Sequence, residues 1–479
     1  MGGLNKKAAA WLSLTFLLIL GSIYAVWFFT KGGLTAASAV SSALLCLIFG
    51  LLGLKAITQV FDNLANNTEP DPTLGLGKRS LRQSARHPFA KLFFAALFSR
   101  LLVFIIAYIF EVKLNGYKAG LFETFGLWLR SDAPHYLGIA QNGYVTSGDA
   151  RFHIVFFPLY PMLVRFFNAI VNNTLASGLI TSVLFTCISG ILLYELMLCD
   201  YSKKKALTAV CFLLLQPAAF FFNAPMSDSL FLMLSVMCLL LIRKKRYYSA
   251  CAIGCLAAFT RVLGVLLFVP ASTELILHYF RLRKRGKGSL KFLALNSPSL
   301  LLIPLGLALY LLVNYTVTGD AFTFLRYQSE HWSQRPGWFF NTAAYQTDNL
   351  IASFPYEPKA AFGLWLPNLL YIFLSASLML LALYKGKPAA AALNEAGKAQ
   401  GENLELRLSY TLYFIAYFAL ATGATWLLSG PRYLACCLSL PAAFALAVNK
   451  KWLLIMLFTL LALLQALYLY AYVSGMPVY

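Results

Sequence analysis

Six ionisable side chains lie close together between Gly126 and Pro161, in a chain that is otherwise mostly apolar. They are Arg130, Asp132, His135, Asp149, Arg151 and His153. Charged and polar groups are costly inside a bilayer, so this stretch should lie outside it. Both flanks are strongly apolar, so we expect a loop over 112–155 that membrane helices hold at each end. We interpret this loop as catalytic, because its side chains can exchange protons or bind anions.

Asp132 is the leading candidate for a catalytic base. A carboxylate at the membrane boundary can accept the proton of a hydroxyl group and make its oxygen nucleophilic. The alternative is a helix N-cap, because Ser131-Asp132 precedes a helix-like run from Ala133 to Gln141. His135 and Tyr136 follow one turn later, where they would orient a substrate. For His135 a structural role is the alternative.

Four basic side chains are candidates for binding a phosphate group. Arg261 is the strongest of them, because a guanidinium inside an apolar run needs a partner. A phosphate would give it bidentate, charge-assisted hydrogen bonds. Arg432, in a Ser-Gly-Pro-Arg-Tyr sequence, repeats this pattern at a helix end. Arg151 and His153 would donate to the same phosphate. For Arg432, Arg151 and His153 the alternative is a side chain that only reaches towards the membrane interface.

The remaining candidates would bind the substrate. Asp228 opens a long apolar run beside Ser227, so it is either an N-cap or a ligand for sugar hydroxyls. His331 and Trp332 lie in a second polar loop over 315–358, although Trp is also common at membrane interfaces. The full set of substrate-binding candidates is His135, Tyr136, Ser227, Asp228, His331, Trp332 and Tyr433.

The composition is that of an all-α polytopic membrane protein. Of the 479 residues 60% are hydrophobic and 12% are charged, and the mean hydropathy is +0.70. The net charge of +21 comes from basic residues clustered in short loops, which indicates membrane topology and argues against nucleic-acid binding. The nine cysteines lie within or at the ends of apolar runs, as small buried hydrophobes do. There is no sequence motif for a metal, a nucleotide or a dinucleotide.

Apolar runs of spanning length recur along the whole chain and predict about 11 to 13 transmembrane helices. The runs lie at about 8–29, 34–60, 89–111, 176–198, 206–224, 228–242, 292–314, 361–384, 408–428, 432–448 and 452–474. Basic loops place 62–87, 203–205, 243–246, 281–291, 385–398 and 450–451 on the inside. We expect residues 1–88 to form a two-helix module with a polar linker, and residues 89–479 to form the core.

Two segments do not fit simple alternation across the membrane. Phe156 to Val171 is apolar but contains two prolines and Arg165, so we expect a helix on the outer face or half inserted. Tyr248 to Phe280 joins two inside basic clusters and is too short for two full spans. We expect a hairpin that turns at Thr260-Arg261, with Arg261 inside the bundle. This topology brings the catalytic loop, the 225–228 turn, Arg261, the 315–358 loop and the 429–433 segment to one outer face.

With these residues in place, the chain resembles the PIG-V type family, the membrane mannosyltransferases that add the second mannose in GPI-anchor assembly, and especially their bacterial relatives. The matching motifs, in the family's order over about 89–448, are Asp132 with Tyr136, Ile139-Ala140 and Gly143-Tyr144, then Phe156 to Pro161, Ser227 to Phe231, Thr260-Arg261, Gly319-Asp320 with Phe322 and Trp332, and Pro431-Arg432-Tyr433. Two positions depart from the family. Ser131 stands where a tryptophan usually precedes the loop aspartate, with Trp128 one turn earlier as a substitute. Asp228 stands where the family usually has glutamate.

The resemblance implies a GT-C fold and an inverting glycosyltransferase that needs no metal or other cofactor. Its donor would be a polyprenyl-phosphate sugar, usually mannose, and its acceptor a lipid or glycan. In the implied mechanism Asp132 deprotonates the acceptor, and Arg261, Arg432 and His153 stabilise the leaving phosphate. A β-linked donor would give an α-linked product.

Two other functions share this architecture. A transporter or flippase for a polyprenyl-linked or amphipathic solute should carry its ionisable residues near the midplane, often in inverted repeats. The polar groups here gather towards one face and no repeat is evident, which favours an enzyme. A polymerase or ligase that moves a whole oligosaccharide is not separated by sequence from transfer of one sugar. The basic N-terminal module suits a bacterial plasma membrane with an outward-facing site; the alternative is the endoplasmic reticulum of a eukaryote.

Overall fold

The computed structural model describes residues 2–66, 88–116, 120, 123–284, 286, 290–386 and 405–479. Within these ranges every regular element is helical, and the one antiparallel bridge, between Pro336 and Ala424, is isolated. The fold class expected from the sequence, an all-α polytopic membrane protein, is therefore confirmed.

The helices vary widely in length, and several long apolar runs are divided into shorter pieces. The α-helices in chain order are α1 (Gly2–Lys31), α2 (Ala36–Asn66), α3 (Phe89–Asn115), α4 (Ala133–Asn142), α5 (Leu159–Val171), α6 (Thr174–Leu198), α7 (Lys203–Leu215), α8 (Asp228–Arg243), α9 (Tyr247–Ala258), α10 (Phe268–Lys284), α11 (Leu290–Asn296), α12 (Leu302–Thr318), α13 (Thr323–His331), α14 (Phe339–Ser353), α15 (Pro358–Ala360), α16 (Leu366–Lys385), α17 (Leu408–Ala421), α18 (Gly430–Ala435), α19 (Ser439–Ala447) and α20 (Lys451–Val473). Short 3₁₀ helices cover Glu123–Trp128, Asp149–Val155, Pro217–Asn223, Val262–Leu267 and Ser297–Leu301, and Ala361–Trp365 forms a π-helix.

Eight helices of the described chain are long and apolar enough to cross a membrane. The number rises to ten if each of two sharply bent helix pairs crosses once. Two shorter apolar helices, Tyr247–Ala258 and Leu408–Ala421, add to these. The predicted number of about 11 to 13 spans is reached only if the shorter helices also cross.

Proline residues explain why some runs do not form continuous helices. The run at 206–224 consists of α7 and the 3₁₀ helix Pro217–Asn223, bent by 76°. Pro217 lacks an N–H and its ring blocks continuation of the preceding helix. The 3₁₀ helix Asp149–Val155 and α5 are bent by 110° on either side of Pro158. The outer-face or half-inserted position of α5 stays a prediction.

The hairpin predicted over 248–280 is present. Helix α9 ends at Ala258, the chain turns through Thr260-Arg261, and the 3₁₀ helix Val262–Leu267 leads into α10. The Tyr247 hydroxyl lies 2.8 Å from Nδ1 of His278, so the start of α9 meets the far part of α10. The turn therefore places Arg261 at the hairpin tip.

The two N-terminal helices pack against the rest of the molecule. Nε1 of Trp27 donates to Oδ1 of Asn341 over 3.3 Å, and the Thr35 hydroxyl donates to Asp348 over 2.6 Å. Both acceptors lie on α14. The proposed division of the chain at residue 88 stays a prediction, and residues 67–87 of its linker lie outside the described residues. So do residues 387–398 of the predicted inside loop after α16.

Candidate active site

Four charged side chains from four separate segments meet in one cluster. The Arg432 guanidinium donates through Nη2 to Oδ2 of Asp132, and its Nε lies 3.6 Å from Oδ1 of Asp228. Nη1 of Arg261 lies 2.9 Å from the same Asp228 oxygen. Charges of opposite sign therefore alternate along Asp132, Arg432, Asp228 and Arg261, which we name the four-charge cluster. The predicted convergence of these segments is observed, while the catalytic roles of the residues stay predictions.

Burial increases from one end of the four-charge cluster towards its centre. The side chain of Asp132 is 23% exposed, whereas that of Arg432 is 1% exposed. Asp228 has no exposed side-chain surface and Arg261 has 9%. Buried charges of this kind persist only when they are paired. Asp132 is therefore the member that a substrate reaches most easily.

The carboxylates do not cap the helices that follow them. Asp132 occupies the N-cap position of α4, but its side chain makes no capping hydrogen bond. Asp228 is the first residue of α8, after Ser227 at the N-cap. The N-cap alternative is not realised at either position, because Arg432 and Arg261 hold the carboxylates instead. Oδ2 of Asp228 is buried without a hydrogen-bond partner in the described part of the chain.

Several neighbours of the four-charge cluster were not identified from the sequence. Nη1 of Arg432 lies 3.2 Å from Sδ of Met226, and the guanidinium lies 5.8 Å from the centre of the Phe221 ring. The Cys436 thiol lies 3.7 Å from Oδ1 of Asp228. Met226 adjoins the Ser227-Asp228 motif, and Cys436 lies one turn after Arg432, so proximity to a motif was the available signal.

Tyr433 and Tyr136 complete the immediate surroundings. The Tyr433 ring lies 5.1 Å from the Arg261 guanidinium and 5.4 Å from that of Arg432, which places two cations against one aromatic side chain. The Tyr136 hydroxyl lies 2.7 Å from the Ser227 hydroxyl. Burial raises the pKa of Tyr136, so its hydroxyl stays protonated.

Histidines and aromatic rings form a second group next to Asp132. Nδ1 of His135 lies 3.0 Å from Nε2 of His153, so one imidazole donates and the other accepts. His135 stacks on Phe156, with ring centres 4.9 Å apart. Trp332 meets the Phe156 ring edge to face at 5.7 Å. We name these four residues, with His331, the imidazole and aromatic group. Tyr136 lies between this group and the four-charge cluster. Its ring meets Phe156 edge to face at 5.1 Å, and its hydroxyl contacts Ser227, the neighbour of Asp228.

His331 and Arg151 lie at the edge of this group. His331 stacks on Phe152 at 4.3 Å and meets Trp332 at 4.4 Å. Arg151 donates to the Gly148 carbonyl over 3.0 Å and lies 4.2 Å above the Phe152 ring. Among the contacts of the described residues none joins Arg151 to either arginine of the four-charge cluster. Its predicted role at the phosphate stays a prediction.

Trp128 packs against two other aromatic side chains, and its part as a substitute for the tryptophan before Asp132 stays a prediction. It is 1% exposed and contacts Phe104 at 5.3 Å and Tyr472 at 5.7 Å. The place immediately before Asp132 belongs to Ser131, whose φ of 56° is in the left-handed region. Its hydroxyl lies 3.5 Å from Nη1 of Arg432. Ser131 and Asp132 therefore both contact Arg432.

No three or more His, Cys, Asp or Glu side chains in the described chain are grouped to hold a metal ion. A metal-independent reaction stays a prediction.

The fold and the site together define a polytopic membrane protein with an ion-paired cluster beside histidines and aromatic rings. Over 180 residues the chain is similar to GPI mannosyltransferase 2 of Schizosaccharomyces pombe, with 27% identity. The match covers 36% of this chain and 38% of that protein, so it spans well under half of either. No protein-family model matches the chain. Over part of its length the chain is thus similar to a mannosyltransferase.

Proposed function

We propose that this protein transfers a single mannose from a polyprenyl-phosphate donor to a hydroxyl group of a lipid-linked or glycan acceptor. The reaction would take place on the non-cytoplasmic face, in the plasma membrane of a bacterium. The observation that carries the proposal is the position of Asp132, the most exposed member of the four-charge cluster, fixed by Arg432 beside the imidazole and aromatic group. The GT-C architecture belongs to the same proposal.

Asp132 is suited to the role of general base. Its Oδ2 accepts from Arg432, which fixes the orientation of the carboxylate. Its Oδ1 has no hydrogen-bond partner within the described residues and can accept a proton from an acceptor hydroxyl. A positioned carboxylate of this kind contributes about 10²- to 10⁴-fold to the rate.

The two arginines have different parts in this proposal. Arg432 is almost fully buried and faces two carboxylates, so its part is to hold Asp132 in place. Arg261 contacts Asp228 through Nη1. A guanidinium has five N–H donors, so Nε and Nη2 of Arg261 can donate to the phosphate of the donor. Asp228 then orients Arg261 and compensates its charge.

The reaction is a single displacement. The acceptor O–H bond breaks, its proton passes to Asp132, and the oxygen bonds to the anomeric carbon. The bond from that carbon to the phosphate oxygen breaks on the opposite face, and its electron pair stays with the phosphate. Arg261 stabilises the charge that develops there. The configuration at the anomeric carbon is inverted. Trp332 and His331 present rings that can pack against the sugar.

The test is transfer by the purified protein. Polyprenyl-phosphate mannose with labelled mannose is incubated with the protein and a membrane lipid extract, and labelled products are separated. We expect labelled mannose on a new lipid or glycan, and a loss of about 10²-fold or more for Asp132→Asn. Asp149→Asn is the matched control, because Asp149 is an exposed acid of the same loop, outside the four-charge cluster.

Two results would contradict the proposal. Wild-type activity in Asp132→Asn would remove the base. Movement of the intact donor across a vesicle membrane without any transferred mannose would instead support a flippase.

A further inference from the structure

Arg100 is a buried arginine in the middle of α3, a helix long and apolar enough to span a membrane. Its Nη1 donates to the Ala219 carbonyl over 2.5 Å, and its Nη2 donates to the Leu214 carbonyl over 2.7 Å. Nη1 also lies 3.4 Å from Oδ1 of Asn223. These partners are all neutral, in contrast to those of Arg261 and Arg432. Arg100 is therefore held by backbone and amide oxygens of one segment.

That segment is the break between α7 and the 3₁₀ helix Pro217–Asn223. A helix end leaves carbonyl groups without partners, and a bilayer supplies no water to bind them. Leu214 lies before the break and Ala219 after it, so the two arms of the guanidinium bridge the break. A planar fork of N–H donors fits two diverging acceptors better than a single ammonium does.

The bridged segment leads directly into the candidate active site. It carries Phe221, which packs against the Arg432 guanidinium, and continues to Met226 and Asp228, which also contact Arg432. Asn223 binds Arg100 in return, because its Nδ2 donates to the Arg100 carbonyl over 2.9 Å. The end of α7 and the last residue of the 3₁₀ helix are thus both tied to α3.

We infer that Arg100 is a positioning residue, which fixes the broken helix that presents Phe221, Met226 and Asp228 to Arg432 and thereby sets the orientation of Asp132. This inference rests on the proposed transferase function. A series of direct contacts connects Arg100 to Asp132. Arg100 binds the 3₁₀ helix, the segment that follows this helix contacts Arg432, and Arg432 binds Asp132.

Arg100→Lys tests this inference, because it keeps the charge and loses the fork. We expect kcat for mannose transfer to fall by about 10- to 100-fold, since small misplacement of reacting groups costs rates of this order. The KM for polyprenyl-phosphate mannose should change by less than about twofold, because Arg261 still binds the phosphate. Hydrogen exchange, measured by mass spectrometry on peptides covering 216–228, should become faster than in the wild type.

Lys205→Met is the matched control. Lys205 is also buried and also binds carbonyl groups at a helix end, including that of Val448 at 3.3 Å. It lies at the opposite end of α7 from the break. We expect this variant to lower the melting temperature while kcat and exchange over 216–228 stay at wild-type values.

The outcomes separate the two proposals. If the wild type transfers mannose but Arg100→Lys keeps wild-type kcat and exchange, Arg100 has no positioning role. A fall in kcat equal in Arg100→Lys and Lys205→Met would show a general effect on stability and would also overturn the inference. If the wild type transfers no mannose, the proposed function fails, and faster exchange over 216–228 in Arg100→Lys still supports the bridge.

Discussion

At the scale of single residues, the main feature is that each candidate phosphate ligand of the four-charge cluster already faces a carboxylate. Two aspartates and two arginines neutralise one another, so the cluster can be buried. Asp228 lies between the two arginines and compensates the charge of both. Loss of its carboxylate would leave both buried guanidinium groups poorly paired, which would cost folding free energy. The identity of each charge is thus linked to its partners.

His135 gives a prediction for pH dependence. Burial lowers the pKa of His135, Asp132 opposes this shift and His331 adds to it. The unfolded chain therefore takes up a proton near the ordinary histidine pKa of about 6.5, while the folded chain resists it to lower pH. The unfolded state binds more protons in that interval, so stability rises with pH and falls on acidification. We expect the melting temperature to drop between about pH 7.5 and about pH 5.5.

The variant His135→Phe separates this effect from general acid sensitivity. A phenyl ring can keep the stacking on Phe156, but it neither titrates nor hydrogen-bonds to His153. The drop in melting temperature over the same pH interval should therefore be smaller in the variant. Parallel curves for wild type and variant, measured by thermal denaturation in detergent, would show that protonation of His135 does not control stability.

At the scale of elements, some basic side chains stabilise helix ends, in addition to those in the loops that predict the topology. Three arginines bind carbonyl groups at helix ends: Arg100 at the end of α7, Arg165 at Ala140 over 2.7 Å, and Arg130 at Val473 over 3.0 Å. Cations are favourable at helix C-termini, where free carbonyls and the helix dipole meet. In an apolar environment this interaction replaces the water that a soluble protein would use.

Gly264 tests the packing of the hairpin that carries Arg261. A Cβ atom added there would lie 2.3 Å from the Ala257 carbonyl carbon and 2.4 Å from the Ala258 nitrogen. These are backbone atoms of α9 and cannot turn away. We expect Gly264→Ala to destabilise the protein by roughly 1 to 3 kcal/mol or more, as overpacking does, and to weaken donor binding because Arg261 moves. Thermal denaturation and donor titration are the measurements.

Gly21→Ala is the matched control for this substitution. Gly21 lies within α1, and an added Cβ would meet no atom within 4 Å. Alanine is favoured over glycine inside a helix by roughly 0.5 to 1 kcal/mol, so this variant should be as stable as the wild type or more so. Equal stability of the two variants would contradict the tight contact between the 3₁₀ helix and α9.

The hairpin also shows what the sequence could predict about elements. The turn could be predicted from two features. Arg261 lies within an apolar run, and a basic cluster predicted to be cytoplasmic lies on either side of that run. The same rule applies to Arg100 and Glu274, which also lie within apolar runs. Hydropathy does not predict the break at Pro217, because average hydropathy is continuous across it and only the proline marks the change. Its supporting partners come from α3, far away in the chain.

At the scale of the whole molecule, helix α8 connects two buried ionic groups. Asp228, its first residue, belongs to the four-charge cluster, and Arg243, its last residue, belongs to a second network. There Arg243 binds Glu274 at 3.0 Å and also binds Asp200. Arg407 binds Asp200 at 2.8 Å and Glu274 at 3.1 Å. This second network joins the ends of α6, α8 and α17 to α10.

In both ionic groups, a single sequence does not predict which acidic side chain pairs with which basic one. Asp132 and Arg432 are 300 positions apart, and the chain offers 39 basic and 18 acidic residues to combine. Motifs identified which residues were unusual for their surroundings, and the topology predicted which segments share a face. The choice of partners depends on side-chain geometry where four segments meet, which neither periodicity nor hydropathy encodes.

The orientation of α8 gives the last prediction, that Asp228 lies on the outer side and Arg243 on the inner side. The basic cluster over 243–246 follows the helix directly, and such clusters stay in the cytoplasm. Its 16 residues extend over about 24 Å, which is most of the roughly 30 Å hydrocarbon core, so we expect its two ends towards opposite sides of the membrane. Asp149 and Arg246 are both exposed, so labelling at these positions can report the two predicted sides.

Cysteine labelling in whole cells tests this orientation. A membrane-impermeant maleimide should label Asp149→Cys in intact cells and Arg246→Cys only after lysis, with the wild-type chain as the background for its own cysteines. The outer location of position 149 would place Asp132 where a polyprenyl-phosphate sugar is presented outside the cytoplasm. The reverse pattern would put the four-charge cluster on the cytoplasmic face, where soluble nucleotide sugars could reach it, and the donor would have to be reassigned.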